Sequence, residues 1–467
     1  MIPMSLGDAA RYAEGTITSP AAGMLTAAVT DTRQITPGAL FCAIHGARVD
    51  GATLAGQALA GGALAVLTEN PAAALASGAD PARIIAVRSV PEAMGKLATA
   101  NLALARQHNR DLRVVAITGS VGKTTTKDLL AGIAIERGEV VAPPGSLNNE
   151  IGLPLTVLRV GPTTATLVAE MGADHIGNIA YLTSIAPPDV AVELIVARAH
   201  LGEFGGIENV ARAKSELIQG EVRGGTSVLN LDDERVMNMR QFATGPVLTF
   251  SPAGNRTADV YAENVHMDEA DRAVFDLVTP GGTRHISLGL VGAHHVANAL
   301  AAASAALALG LDLDAVAGHL GAHAASPHRM DVFTPKHLSV TVIDDAYNAN
   351  PDSMRAGIRS LGRIGRTGRR VAVLGAMLEL GDASAREHAS LVAPLQEAGV
   401  SALVVVGKEA QPLAEAACRA GIAVRYLDSV AGTQDAVTDM LKDGDTVLIK
   451  GSNGSNVWRV ADALREA

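Results

Sequence analysis

The sequence is poor in cysteine, in aromatic residues and in surplus positive charge, and it has no long apolar run. Its only cysteines, Cys42 and Cys418, lie far apart, which excludes a disulfide framework and a thiolate metal site and predicts the cytoplasm as location. Six Phe, five Tyr and one Trp are too few for the base-stacking platforms of single-strand binders. Lys and Arg number 38 against 48 Asp and Glu, a formal net charge of −10, so there is no global basic footprint and no nucleic-acid partner is expected. Any polyanion must be gripped locally. The longest uncharged apolar run, Ala299 to Leu311, is 13 residues, short of the roughly 20 that span a bilayer as a helix, so no integral membrane segment is expected. Residues Met1 to Gly15 show no basic cluster ahead of an apolar stretch, and no secretory signal is expected.

What the sequence does contain is 48% hydrophobic residues and 48 glycines in 467 positions, the material of a globular protein of about three domains. Short Val/Ile/Leu-rich runs alternate with Ala-rich amphipathic stretches, the pattern of buried parallel strands joined by helices. The fold class is therefore α/β. Residues 1–110 predict a small α/β domain with strands at Leu40 to Ile44, Leu64 to Leu67 and Ile84 to Val87, followed by a helix from Pro91 to His108. Residues 111–326 predict a central parallel sheet, with strands at Val114 to Thr118, Thr166 to Met171, Val190 to Val196 and Val228 to Asn230. β-Hairpins follow between Val260 and Leu290, then an Ala-rich helix at 294–310. After Ser326-Pro327 the strand–helix rhythm restarts at Val340 to Asp345, Val371 to Gly375, Leu403 to Gly407 and Val447 to Gly451. Residues 327–467 thus predict a doubly wound, Rossmann-like domain.

The most informative stretch is Gly119-Ser120-Val121-Gly122-Lys123-Thr124-Thr125, placed between an apolar strand and a helix. Glycines let backbone N–H groups converge on phosphate oxygens, the helix N-terminus adds its positive end, Lys123 supplies charge, and the Thr124 hydroxyl suits Mg²⁺. The spacing is two residues shorter than the standard phosphate loop, because Ile117 stands where that form has its first glycine. Glu170 closes a strand at the carboxyl edge of the sheet, where open α/β sheets bind ligands, and is a plausible partner of a hard cation. His200 and Lys214 fall near the same edge; a lone histidine is usually structural, the plain reading of the lysine is an exposed ion-pair partner, and spacing alone does not choose. Arg329 stands at the entry to the third domain with five fixed donors. Asp344 to Pro351 forms a polar loop opening a helix, and Asn148-Asn149-Glu150 a second polar cluster; both also fit ordinary turn and capping chemistry.

Taken together, these blocks resemble the Mur ligase family over essentially the whole chain. The stretches that carry the resemblance are the short phosphate loop, Asn148 to Pro154, Glu170 to Gly177, Ala199-His200-Leu201 with Ala213 to Glu216, and Asp344 to Met354. Asp345 to Pro351 is most similar to the member that adds D-alanyl-D-alanine to UDP-N-acetylmuramoyl-tripeptide. The Asn-Pro-Arg of the relative that adds meso-diaminopimelate is not found in the third domain. The resemblance implies an ATP-dependent peptide ligase working through an acyl phosphate. It further implies that Gly119, Ser120, Val121, Gly122, Lys123, Thr124 and Thr125 wrap the ATP phosphates, that Thr124 and Glu170 hold one Mg²⁺ with His200 near a second, and that Lys214 is carbamylated and helps hold metal. Asn298 would contact adenine, and Arg329 and Asp345 the ATP phosphate and ribose. Asp31, Thr32 and Arg33 would lie on the uridine side, with Asn148, Asn149, Tyr347 and Asn348 toward the substrates. The three domains would hold the UDP-sugar peptide, ATP, and the dipeptide with part of the nucleotide, and close about hinges near Pro327. A monomer is expected.

The chain departs from the family pattern at Ala376, where an aspartate is common, at Gly51-Ala52-Thr53-Leu54 in place of Gly-His-x-Phe, and at 451–456, which lacks the usual arginine and methionines. Two other readings remain open on the residues: a sibling amide ligase with the same ATP chemistry, and a nucleotide-gated scaffold that keeps the fold without catalysis. Dipeptide-dependent phosphate release separates them.

Overall fold

The computed structural model describes residues 1–46, 49–197, 204–322, 326–364 and 368–467. Among the described residues three large sheets follow one another along the chain, beside a two-stranded antiparallel pair of Met4–Ser5 with Met24–Leu25. The first has four parallel strands in sequence order, Ala27–Val29, Ala39–Ala43, Ala65–Thr68 and Ile84–Ala86. The second has nine. Its middle is parallel, with Arg113–Thr118 between Thr164–Glu170 and Val190–Glu193. The antiparallel strands Val260–Met267, Arg272–Thr279 and Gly282–Val291 extend one edge, as the alternating pattern predicts. The third sheet is five parallel strands with a short antiparallel edge, Asp331–Phe333.

Alternation along the strands explains why the sheets are covered on both faces. In the second sheet Val114 and Ala116 enter one core and Val115 and Ile117 the other. In the third, Ala372 and Leu374 face one helical layer and Val371 and Val373 the opposite one. The Ala-rich helix His295–Ala308 is almost wholly buried against the second sheet, and among the described residues no helix is long and apolar enough to cross a membrane.

The helix Val90–His108 starts at a Ser89 cap with proline in its first turn, and it binds the first unit to the second. Buried Asn101 accepts from the backbone N–H of Ile2 at 2.8 Å and donates to the carbonyls of Val157 and Val160 at 3.0 Å each. One continuous apolar core runs from Ile2 through Leu97 to Leu182.

One strand is shorter than its apolar run. Val190 to Val196 reads as a single strand, yet pairing stops at Glu193. The next residues turn their backbone groups to the glycine-rich loop instead: the Ser120 N–H donates to the Ile195 carbonyl at 2.8 Å, and the Ala197 N–H to Ser120 Oγ at 2.9 Å. Strands Ala27–Val29, Glu139–Val141 and Ala423–Leu427 lack a long apolar run and escape a reading based on periodicity.

Candidate active site

The strand Arg113–Thr118 ends in the loop 119–122, and the helix Lys123–Ala134 begins immediately after it. Two glycines are required here. Gly122 has φ +85°, and a Cβ on it would meet Asn298 Oδ1 at 2.3 Å; a Cβ on Gly119 would meet Leu194 Cβ at 2.7 Å. The helix has no side-chain cap, so its first N–H groups stay available to an anion. Lys123 Nζ donates to the Gly119 carbonyl at 2.8 Å, and burial lowers the pKa of its ammonium.

Around this loop the buried polar groups interlock. Glu170, 1% exposed, accepts from Thr124 Oγ1 at 2.7 Å, from Ser146 Oγ at 2.7 Å and from Asn148 Nδ2 at 2.8 Å. Arg329 Nη2 donates to Thr124 Oγ1 at 2.8 Å and stacks over the Tyr347 ring at 4.0 Å. Lys127, fully buried on the loop's own helix, ties down the segment that presents Ser146 by donating to the carbonyls of Pro143 and Gly145 at 2.5 and 2.9 Å. Lys450 Nζ, also buried, pairs with Asp345 Oδ2 at 2.6 Å and donates to the Asn348 carbonyl at 2.9 Å.

Two cavities meet at the loop. One, of about 460 Å³, lies between the second and third units; its lining includes Ser120 to Thr125, Glu170, Asn298, Arg329, Asp345, Tyr347 and Asn348. The other, of about 270 Å³, is lined among others by Gly119, Asn149, Asn178, Tyr181, Lys214 and Glu379. Ser120, Lys123 and Asn148 line both. A group held at the loop therefore faces one chamber on each side.

On the smaller cavity's flank, Lys214 sits on the helix Ile207–Gln219, 6% exposed, its pKa lowered to about 7 by burial and by the charge of Lys123. Glu193 is completely buried, neither carboxylate oxygen has a hydrogen-bond partner, and burial raises its pKa to about 8 against the opposing pull of Lys214. Two residues from Lys214, Glu216 accepts from the Gly177 and Ala180 N–H groups at 2.7 and 2.9 Å, capping the helix Asn178–Ile185.

The structure thus brings together Gly119 to Thr125, Asn148, Asn149, Glu170, Lys214, Asn298, Arg329, Asp345, Tyr347 and Asn348. His200 lies outside the described residues. Asp31, Thr32 and Arg33 do not line either cavity: Asp31 caps a short 3₁₀ turn and pairs with Arg33, whose side chain is 87% exposed. At the altered block 51–54, Asp50 caps the turn by accepting from Ala52 N–H at 3.0 Å, and Asn70 Nδ2 donates to its other oxygen at 3.2 Å. Ala376 is buried. Sequence reasoning missed Glu193, Ser146, Lys127, Lys450 and Glu379. Glu193 lies inside the run Val190 to Val196, which reads as one strand, and becomes a strand-end carboxylate only because pairing stops there.

Mg²⁺ suits the donor set. Thr124 and Glu170 offer hard oxygens side by side. Among the described residues no cluster of three or more His, Cys, Asp or Glu could cage a metal.

The chain is similar to known proteins along nearly its whole length. Residues 26–101 match the Mur ligase family catalytic domain, 117–306 the Mur ligase middle domain, and 328–453 the Mur ligase glutamate ligase domain. The UDP-N-acetylmuramoyl-tripeptide–D-alanyl-D-alanine ligase of Mycobacterium tuberculosis is 41% identical over 93% of this chain and 91% of its own length. That of Escherichia coli is 36% identical over 95% and 94%. A crystal structure of MurF from Acinetobacter baumannii superposes with a TM-score of 0.84 at 30% identity, covering 100% of this chain and 99% of that one. MurF from Thermotoga maritima in complex with ADP gives 0.75 at 29% identity, covering 94% and 97%.

Proposed function

From the premise that this chain belongs to the Mur ligase family, we propose that it joins D-alanyl-D-alanine to UDP-N-acetylmuramoyl-tripeptide, cleaving ATP to ADP and phosphate and yielding the pentapeptide precursor of peptidoglycan. The observation that carries this reading is the pair of cavities sharing Ser120, Lys123 and Asn148. ATP enters the larger one, with its phosphates on residues 119–125, its adenine toward Asn298 and its ribose toward Asp345. The peptide carboxylate enters the smaller one past Asn148 and Asn149.

The carboxylate oxygen attacks the γ-phosphorus and ADP leaves, giving an acyl phosphate. Lys123 and Arg329 spread the charge that develops, and positioning does most of the rest. The amine of D-alanyl-D-alanine, guided by Tyr347 and Asn348, then attacks the acyl carbon, and phosphate departs from the tetrahedral intermediate. Thr124, Glu170, His200 and a carbamylated Lys214 would hold Mg²⁺, which when bound neutralises phosphate charge. Carbamylation suits Lys214 because it replaces a buried cation by an anion. Residues 1–110 take the UDP-sugar, with Asp31, Thr32 and Arg33 on the uridine side; residues 111–326 take ATP; residues 327–467 take the dipeptide and part of the nucleotide. The enzyme works as a cytoplasmic monomer without a nucleic-acid partner.

Phosphate release tests the reading. With UDP-N-acetylmuramoyl-tripeptide and Mg²⁺-ATP present, release is expected to depend on D-alanyl-D-alanine. Release that ignores the dipeptide would overturn the assignment.

A further inference from the structure

The hydroxyl of Thr124 is engaged both as donor and as acceptor. It donates to Glu170 Oε2 at 2.7 Å and accepts from Arg329 Nη2 at 2.8 Å. An oxygen that ligates a metal must turn a lone pair to it, and a permanently charged guanidinium bonded to that oxygen both occupies a lone pair and repels a second cation.

Nor is the arginine there by accident of a long side chain. Its guanidinium rests on the Tyr347 ring at 4.0 Å, the Tyr347 N–H donates to the His328 carbonyl at 3.1 Å, and His328 Nδ1 pairs with buried Asp344 at 2.8 Å. The residues on either side of Arg329, His328 and Met330, both have left-handed backbone, with φ +59° and +55°, a conformation costly for such side chains that persists only where surroundings impose it. A strained, multiply anchored segment of the third unit thus delivers one charged tip to the second unit's phosphate loop.

We propose that Arg329 is a built-in competitor of the divalent cation: in the nucleotide-free protein its guanidinium holds the Thr124 hydroxyl, so the cation enters only together with the phosphates that draw Arg329 away. Tyr347 is the positioning residue that aims it. The proposal rests on the reading of residues 119–125 as the Mg²⁺-ATP site, and it makes cation binding and the contact between the two units mutually exclusive until nucleotide is present.

Mn²⁺ binding to the full chain, followed by electron paramagnetic resonance without nucleotide and then with ADP, tests it. Arg329→Gln is expected to bind Mn²⁺ alone about tenfold more tightly than wild type. Arg359→Gln, which removes the same charge from the same cavity, should change the affinity by less than about threefold. Tyr347→Leu is expected to fall between wild type and Arg329→Gln, and Thr124→Val to cancel the gain when combined with Arg329→Gln. Equal effects of Arg329→Gln and Arg359→Gln, or no effect of the former, would overturn the proposal. If Thr124→Val still weakens Mn²⁺ binding in the ADP complex, that failure is the proposal's alone; if it does not, the site reading falls with it.

Discussion

Glu170 and Glu193 end the two strands that flank the phosphate-loop strand, paired with Ile117 on one side and Thr118 on the other. Both are buried. Glu170 is met by three donors from Thr124, Ser146 and Asn148, whereas Glu193 has none. Equivalent places in a sheet have therefore become opposite environments. Three donors hold the Glu170 carboxyl in one orientation beside the loop, while bare burial disfavours the charged form of Glu193, which keeps its proton to about pH 8. The side chains of neighbouring loops, not the strand ends, decide which carboxylate can serve a cation.

The largest effects should come from the satisfied side. Lys123→Ala and Glu170→Gln are each expected to lower kcat by about 10²-fold or more, measured as dipeptide-dependent phosphate release; Glu193→Gln should leave most of the rate. A Glu193 variant as inactive as the Glu170 variant would erase the contrast. Gly122→Ala comes next: it puts a Cβ against Asn298 Oδ1 and a non-glycine residue at φ +85°, which should cost about 1–3 kcal/mol of stability and weaken ADP binding, read by thermal unfolding and calorimetry.

A smaller effect sharpens the comparison through pH. Between about pH 4.5, the ordinary glutamate value, and about 8, the folded protein keeps a proton on Glu193 that the unfolded chain releases. Wild type therefore loses stability as pH rises through that window. Gln has no such slope, so the melting temperature of Glu193→Gln should gain on wild type from pH 5 to 8. Lys214, with its pKa lowered to about 7 from 10.5, gives the opposite slope above pH 7, because there the unfolded chain holds the extra proton; since Glu193 holds that pKa up, its replacement lowers it further and adds to the gain on wild type. Parallel melting curves would contradict the assignment of Glu193. Smallest of all, Asp31→Ala removes a partly exposed pair and the cap of a three-residue turn, and should lower the melting temperature only slightly while raising KM for the UDP-linked acceptor.

The parts of this site that a reader of the sequence can find are those written contiguously. Gly119 to Thr125 is a local spacing rule with one physical purpose, and Glu170 ends an apolar strand as the rule for open sheets expects. Lys450 and Glu379 become visible only when strand order is known, since they reach the site from more than 200 positions away. Glu193 was hidden within a run that reads as uninterrupted strand, because nothing in the sequence announces that the backbone groups of Ile195 and Ala197 bind Ser120 rather than a neighbouring strand. The sheet cores were legible because buried parallel strands are apolar on both faces; the edge strand Asp331–Phe333, none of whose residues is buried, was not.

The central claim is that the peptide carboxylate attacks the γ-phosphorus of ATP directly, forming an acyl phosphate. Tripeptide labelled with ¹⁸O in its terminal carboxylate tests it directly in one turnover. Direct attack on the γ-phosphorus predicts one labelled oxygen in the released phosphate and the other in the new amide; phosphate released without label would contradict the account.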